Sequence, residues 1–497
     1  MSSIVGSVRR HAVERPAAEA LRAAGTSLSY VGLAAEIGAL AARLEGACVG
    51  LLLDNGPAWV VADLAAMERG LRCVPLPTFF SQQQLRHAIH DAGVDIVLTD
   101  QVERISQLVP VRSREMFSVA GSVVALLAID AARAPIVPRG TVKVTYTSGS
   151  TGEPRGVCLS AAAVTDKAAA LATASGASPA DRSLCLMPLS TLLENIGGVY
   201  SPLLIGATCC VPSMREIGLS GSGELHVPSL LRSLRNYRPS SVIVVPQMLR
   251  ALVEAVEHGA QLPCSLRFIA VGGAPVSVTL LRRAARAGLP VFEGYGLSEA
   301  ASVVTLNHPG ELRIGSVGRP LPGIAVSIAD DGEILLYGED MFLGYLGGED
   351  RGGSRTWPTG DLGHVDEDGY VYVTGRKKHI FITANGRNVS PEWVERELLA
   401  QPAIGQAAVF GEGMAGNVAL LVPVPGADRG AIANAVQETN RHLPDYARVS
   451  RFSVAEPFTV SNGQLTGTGR VRRDAIASAY AHQFEPDIEW TPALQVQ

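Results

Sequence analysis

Lysine is nearly absent from this chain. It occurs only at Lys143, Lys167, Lys377 and Lys378, although lysine and arginine together number 42. Almost every positive charge is therefore a guanidinium, which is planar, permanently charged and able to grip an anion at two points. Arginine at a functional position thus partly reflects background usage. A surplus of charge is missing too. The net charge of −5 and the lack of any basic block exclude the electrostatic footprint of a nucleic-acid partner. The 7 cysteines form an odd set without Cys-x-x-Cys spacing, which excludes a disulfide framework and fits reduced thiols in a cytoplasmic protein. No apolar run is long enough to span a bilayer, since the longest mostly apolar stretch is Val119 to Ile129. Arg9, Arg10, Glu14 and Arg15 interrupt the first residues, so no signal-peptide core is expected. Internal repeats and low-complexity tracts are absent as well.

What remains is a globular composition, 47% apolar and 18% charged, over 497 residues. That length exceeds one hydrophobic core, so two or more domains are expected. The chain is organised around Thr145-Tyr146-Thr147-Ser148-Gly149-Ser150-Thr151-Gly152-Glu153-Pro154-Arg155-Gly156. A β-prone run, Val142 to Tyr146, leads into a turn of hydroxyls and glycines. Glycines let backbone N–H groups approach an anion, and Ser and Thr add donors that rotate to fit. This is the chemistry of a phosphate-gripping loop, although the Walker spacing is missing. Taken alone, the stretch also reads as a polar surface turn.

Around it, strands alternate with helices. Residues 17–46 read as largely helical, with Leu33, Ile37, Leu40 and Leu44 at helical spacing. Strands are expected at Val49–Leu53, Cys73–Leu76, Val94–Thr99, Leu184–Met187, Val242–Val245 and Phe268–Val271. Helices are expected at Trp59–Arg69, Gln82–Ala92, Ala161–Ala174 and Ser229–Asn236. That alternation predicts an α/β domain with a largely parallel sheet. From about Arg313 to Gly375, glycines and prolines punctuate short strands such as Ile324–Ile328 and Glu333–Tyr337, and a β-rich subdomain is expected. A C-terminal domain is placed at 378–497, after an N-terminal domain of 1–377. Its first helix starts at Ser390-Pro391-Glu392, with Ser390 suited to the N-cap and Pro391 to the first turn.

Four stretches, in this order, resemble the adenylate-forming superfamily of acyl-CoA synthetases, luciferases and peptide-synthetase adenylation domains. They are Tyr146 to Val157, Gly294-Tyr295-Gly296-Leu297-Ser298-Glu299, Thr359-Gly360-Asp361 and Gly375-Arg376-Lys377-Lys378. The likeness runs on to Gly467-Thr468-Gly469-Arg470 and covers nearly the whole chain. It implies a large N-terminal domain of two α/β subdomains plus a β-barrel, and a small mobile α+β C-terminal domain. The implied reaction has two steps. A carboxylate attacks the α-phosphate of ATP to give acyl-adenylate and pyrophosphate, and a thiol then takes the acyl group and releases AMP.

The resemblance assigns roles residue by residue. Thr147, Ser148, Gly149, Ser150, Thr151 and Gly152 would hold the β- and γ-phosphates, aided by Arg155, where the family usually has Lys. Gly272, Gly273 and Ala274 would bring backbone against adenine, Tyr295 would offer it an aromatic face, and Gly294 and Gly296 would belong to the same nucleotide site. Ser298 would contact phosphate and Glu299 would hold Mg²⁺, a hard cation bound by oxygen ligands together with ATP phosphates. Asp361 would accept from both ribose hydroxyls with Arg376 beside it, and Lys378 falls at the hinge.

Two departures stand out. The family's C-terminal motif ends in Gly-Lys, and that Lys bridges the attacking carboxylate and the α-phosphate; here Arg470 follows Gly469. Either Arg470 does the same work, its guanidinium suiting two anionic oxygens, or adenylation is weakened. Many acyl-CoA synthetases also carry His near Thr191, at the gate of the acyl pocket. The segment 188–198 holds no clear Asp partner for a substrate ammonium, so an apolar pocket around Thr191, Asn195, Ile196, Gly197, Gly198 and Val245 is expected to take a fatty or other apolar acid. The expected cofactors are ATP, Mg²⁺ and coenzyme A, or the phosphopantetheine arm of a separate acyl carrier protein. The alternatives are an acyl-AMP ligase serving a carrier protein, amine or hydroxyl, and a nucleotide-binding relative with weakened adenylation.

Overall fold

The computed structural model describes residues 3–130, 135–147, 154–220, 224–338, 341–348, 356–459, 462–466, 470–484 and 491–492. Two large mixed sheets carry the N-terminal part. One orders its strands Arg319–Pro320, Ser302–Leu306, Val291–Leu297, Phe268–Val271, Ser241–Val244, Arg182–Leu184, Thr208–Cys210, Glu19–Ala23 and Thr26–Ser29. The other runs Gly344–Tyr345, Arg155–Ser160, Thr141–Thr147, Arg72–Pro75, Cys48–Leu52, Ile96–Thr99, Ser122–Ile129 and Val111–Val119. The inner pairings are parallel, as the strand–helix alternation predicts. Helices Ile4–Glu14, Tyr30–Ala41, Pro57–Arg69 and Ala161–Ala174 contribute to one apolar core with residues of both sheets. Helix Pro57–Arg69 is its centre, with every residue from Pro57 to Ala66 buried.

The expectation of a largely helical 17–46 is corrected. The helix covers Tyr30–Ala41, capped by the Ser29 side chain accepting from Gly32 N. The residues before it form an antiparallel hairpin, Glu19–Ala23 with Thr26–Ser29, turning at Gly25 with φ +72°. The reason is tertiary: Leu21 and Arg22 pair in parallel with Cys209 and Cys210, contacts that local helix propensity does not register. The apolar run that ends at Ile129 is strand Ser122–Ile129, and no helix among the described residues is long and apolar enough to cross a membrane.

A four-stranded antiparallel sheet, Ile324–Ile328, Glu333–Gly338, Thr356–Val365 and Val371–Arg376, occupies the Gly- and Pro-punctuated region. After it, strands Ile404–Phe410, Asn417–Pro423, Val449–Val454 and Thr491–Pro492 build a sheet packed on helices Pro391–Leu399 and Arg429–His442, with an apolar cluster of its own. Ser390 takes the N-cap position but makes no capping bond to a backbone N–H; its Oγ donates to Glu392 Oε2 at 3.2 Å. All seven cysteines are unbridged, six of them buried and Cys264 exposed.

Candidate active site

Strand Thr141–Thr147 and its antiparallel partner Arg155–Ser160 are in register at Thr147 and Arg155, at the two ends of the loop. Ser148, Gly149, Ser150, Thr151 and Gly152 lie outside the described residues. Both ends of the loop are anchored on helix Gln82–Asp91. Tyr146 Oη donates to Asp91 Oδ2 at 2.8 Å, and His87 Nε2 donates to the Pro154 carbonyl at 3.0 Å. Burial, reinforced by Asp91, pushes the Tyr146 phenol far up, so it stays a donor.

Arg155 is exposed and its guanidinium lies 3.8 Å from the centre of the Tyr345 ring. The hydroxyl of that ring donates to Glu299 Oε1 at 2.6 Å. Tyr345 thus joins two predicted site residues, and no sequence motif pointed to it. It is placed by tertiary pairing, because Gly344–Tyr345 adds a short strand to Arg155–Ser160. Ser298 opens the turn Ser298–Ala300, and the two residues after that turn, Ala301 and Ser302, have φ of 51° and 92°. Left-handed backbone in two successive non-glycine residues is strained and is held by the strands on either side.

Strand Phe268–Val271 delivers Gly272, Gly273 and Ala274 at its C-terminal end. A Cβ on Gly272 would stand 3.0 Å from the Gly294 carbonyl, and one on Gly296 would meet Ser302 O at 1.7 Å, so this corner is built for bare backbone. Beside it, Tyr295 Oη donates to Asp361 Oδ2 at 2.6 Å, and Arg376 Nε meets Asp361 Oδ1 at 2.7 Å. Asp361 and Arg376 sit opposite one another in the pairing of Thr356–Val365 with Val371–Arg376. Burial raises the Asp361 carboxyl, with Arg376 and the Tyr295 bond opposing; burial and then Asp361 drive the Tyr295 phenol up.

The C-terminal part reaches this corner. Arg470 N donates to Thr466 Oγ1 at 3.0 Å, and Arg470 Nε donates to the Gly273 carbonyl at 2.8 Å. Arg470 is exposed, and its guanidinium has Arg376, Asp361, Tyr295 and Glu299 as charged or polar neighbours. A second tie runs from Arg250 Nη1 to the Ile404 carbonyl at 2.7 Å. Lys378 lies in the turn Lys377–His379, between Lys377, paired with Asp331 and Glu333, and His379, paired with Glu392.

On the other side, Thr191 Oγ1 donates to the Pro188 carbonyl at 2.7 Å and precedes a π-helix, Glu194–Tyr200. Neither sequence periodicity nor any motif anticipated this element, which is a rare form concentrated at functional sites. Ile196 is fully buried in the main core, and a Cβ on Gly197 would stand 2.7 Å from Ile243 Cδ1. Val245 is half-buried at the head of helix Pro246–Glu257, near Gly273. Asn195 requires a correction as a pocket wall. Its Oδ1 accepts from Lys143 Nζ at 2.5 Å and its Nδ2 donates to Asp63 Oδ2 at 3.0 Å, so the amide belongs to a buried polar cluster.

For a divalent cation, the described residues hold no group of three or more His, Cys, Asp or Glu able to form a protein cage. One carboxylate with a free oxygen suits Mg²⁺, which is usually bound through one or two carboxylates, waters and substrate phosphates. Glu299, with Oε1 oriented by Tyr345, fits that pattern.

Residues 8–346 match the AMP-binding enzyme family, and residues 378–486 match the AMP-binding enzyme C-terminal domain. The long-chain-fatty-acid–CoA ligase of Mycobacterium bovis is 28% identical over 86% of this chain and 85% of its own. The 2-succinylbenzoate–CoA ligase of Bacillus pumilus is 28% identical over 76% of this chain and 79% of its own. Among solved structures, the anthranilate CoA ligase AuaEII in complex with anthranoyl-AMP superposes with a TM-score of 0.81 at 20% identity, covering 96% of this chain and 97% of that one. The O-succinylbenzoate coenzyme A synthetase of Bacillus subtilis in complex with ATP and magnesium ion gives 0.75 at 24%, covering 94% and 98%.

Proposed function

Because the chain belongs to the AMP-binding enzyme family, we propose that it is an AMP-forming acid–thiol ligase that activates a fatty or other apolar carboxylic acid and passes it to coenzyme A. The observation that carries this reading is the convergence of Tyr295, Asp361, Arg376 and Arg470 on the glycine corner at Gly272 and Gly273. Asp361 offers acceptor oxygens for ribose hydroxyls, held in place by Arg376 and Tyr295 before any nucleotide arrives. Groups held in place in this way bind the ribose without having to reorganise when the nucleotide arrives.

In the first step a carboxylate oxygen forms a bond to the α-phosphorus, the bond to the bridging oxygen breaks, and pyrophosphate leaves. Arg470 faces that point from the C-terminal part and carries the charge that offsets the two anions. Arg155 and the hairpin loop receive the leaving pyrophosphate. Mg²⁺, bound through Glu299 and the phosphates, would supply charge neutralisation there. In the second step a thiolate attacks the acyl carbonyl, the C–S bond forms, and AMP departs with the anhydride oxygen. Lys378, between the two parts of the chain, is the hinge about which the C-terminal part moves to admit the thiol. Relatives that act on long-chain fatty acids support the apolar acid, as does the engaged hydroxyl of Thr191.

The test is AMP formation from Mg-ATP with fatty, aryl and amino acids, each with and without coenzyme A. AMP that requires both a fatty acid and coenzyme A is the expected result. Pyrophosphate with retained acyl-adenylate, and no response to coenzyme A, would assign the acyl group to a carrier protein or another acceptor. ATP binding without turnover of any acid would overturn the ligase and leave a nucleotide-binding relative.

A further inference from the structure

One of the four lysines is buried where the proposed reaction does not use it. Lys143, 1% exposed, sits on Thr141–Thr147, four residues before the end of the strand that leads into the phosphate loop. Its Nζ donates to Asp63 Oδ1 at 2.8 Å and to Asn195 Oδ1 at 2.5 Å. Asp63 also accepts from Asn195 Nδ2 at 3.0 Å, Tyr200 Oη at 2.5 Å and Cys73 Sγ at 3.2 Å. The ammonium lies 5.0 Å from the Tyr200 ring and 5.8 Å from the Trp59 ring, within cation–π range of both. Asp63, Asn195 and Tyr200 are 1%, 1% and 0% exposed.

Stability alone is a poor reason for such a cluster, since apolar residues of the same volume generally serve a core as well or better. What the cluster does have is position. Asp63 lies on the central helix Pro57–Arg69, Lys143 on the loop strand, and Asn195 and Tyr200 at the second and last positions of the π-helix. The residues just before that helix grip the same acid-side segment again. Asn55 Nδ2 donates to the Met187 carbonyl and Asn55 Oδ1 accepts from Leu189 N, both at 2.8 Å. Segment 187–200, which contains Thr191, is therefore pinned at one end to the turn that precedes helix Pro57–Arg69 and at the other to Asp63 on the helix itself, and the phosphate-loop strand is pinned to that helix by Lys143.

We propose that Asp63, Lys143, Asn195 and Tyr200 form a buried positioning unit that holds the phosphate-loop strand and the acid-side segment 187–200 at one spacing, so that nucleotide and acid meet in register. The assignment of 187–200 to the acid side rests on the ligase reading above; the tie to the loop strand does not. Misplacement by about an ångström far from the reacting atoms is enough to lower a rate substantially.

The test compares wild type with Asp63→Asn/Lys143→Met, which removes both charges at nearly constant volume, and with Tyr200→Phe, which removes one oxygen. Thermal melts, Mg-ATP calorimetry without acid, and steady-state kinetics with an acid that wild type accepts are measured on each. The double variant is expected to melt close to wild type, to bind Mg-ATP about ten-fold more weakly, and to show higher KM for both ATP and acid with lower kcat. Tyr200→Phe is expected to move the same constants about three-fold. A purely structural cluster would lower the melting temperature and leave Mg-ATP affinity and the constants per folded enzyme unchanged; that result overturns the proposal. If the double variant fails to fold, unchanged constants in Tyr200→Phe overturn it equally. Should wild type turn over no acid, the ligase reading fails while Mg-ATP affinity still decides the tie to the loop strand.

Discussion

Arg470 Nε and the Gly273 carbonyl, 197 residues apart in the chain, are hydrogen-bonded at 2.8 Å. The contact ties the C-terminal part to the glycine corner, with Asp361, Tyr295 and Glu299 among the charged or polar neighbours of the guanidinium. On the ligase reading proposed above, Arg470 serves the first half-reaction from this position.

Arg470→Ala should therefore lower acid-dependent pyrophosphate release by about 10²–10³, the usual loss for one preorganised group facing developing charge. Transfer from supplied acyl-adenylate to the thiol should change far less. Arg470→Lys should stay within about ten-fold of wild type, because the charge is kept and the two-point grip is lost. A large rise in pyrophosphate release with Lys would show that Arg is not an equal substitute.

Asp361→Asn should raise the ATP KM by about ten-fold or more, since charged acceptors contribute roughly 1.5–3 kcal/mol per hydrogen bond. Tyr295→Phe should cost less, because Arg376 still holds the carboxylate through Oδ1. Equal effects from the two substitutions would mean that the phenol, rather than the carboxylate, governs ribose binding.

Tyr345→Phe keeps the ring beneath Arg155 and removes the donor to Glu299 Oε1. The half-saturating Mg²⁺ concentration should rise about ten-fold, as expected when the group that orients a metal ligand is lost. Tyr345→Leu should add a weakened ATP response through Arg155. No Mg²⁺ shift in Tyr345→Phe would remove Glu299 as the cation's ligand.

Glu194 is buried in the π-helix, its Oε2 accepting from Met187 N at 3.1 Å, and burial pushes its carboxyl from 4.5 to about 8. Burial raises Glu293 to about 8 as well, with Arg396 opposing. Both groups bind a proton more tightly in the folded chain than in the unfolded one. Their contribution is fully present below pH 4.5 and is lost as pH rises through about 8. Stability measured by denaturant titration should thus decline across that window. Glu194→Gln should flatten the decline and exceed wild type by on the order of 1–3 kcal/mol at pH 8. A slope unchanged by this substitution would remove Glu194 as its source.

Much of this was legible from local signals. The strand–helix alternation, helix Ala161–Ala174, strands Phe268–Val271 and Ile324–Ile328, and the order of the loop, glycine, aspartate and arginine motifs follow from periodicity, turn residues and short motifs, all of which act over a few residues. The amino-acid order was therefore enough to specify the α/β class and the family, and to single out Tyr295, Asp361 and Arg376 as candidates, which the fold bonds to one another.

Tertiary structure decided what depends on distant partners. The hairpin Glu19–Ser29 forms because strand 208–210 offers it an edge, although leucine and alanine spacing alone favoured helix. Tyr345 reaches Glu299 only because a two-residue strand joins Arg155–Ser160. Asn195 turns from a pocket wall into a buried partner of Lys143 and Asp63 because a π-helix points its amide inward. A buried charge needs a partner wherever the fold can supply one, and that partner is set by packing across the whole domain rather than by neighbours in the chain.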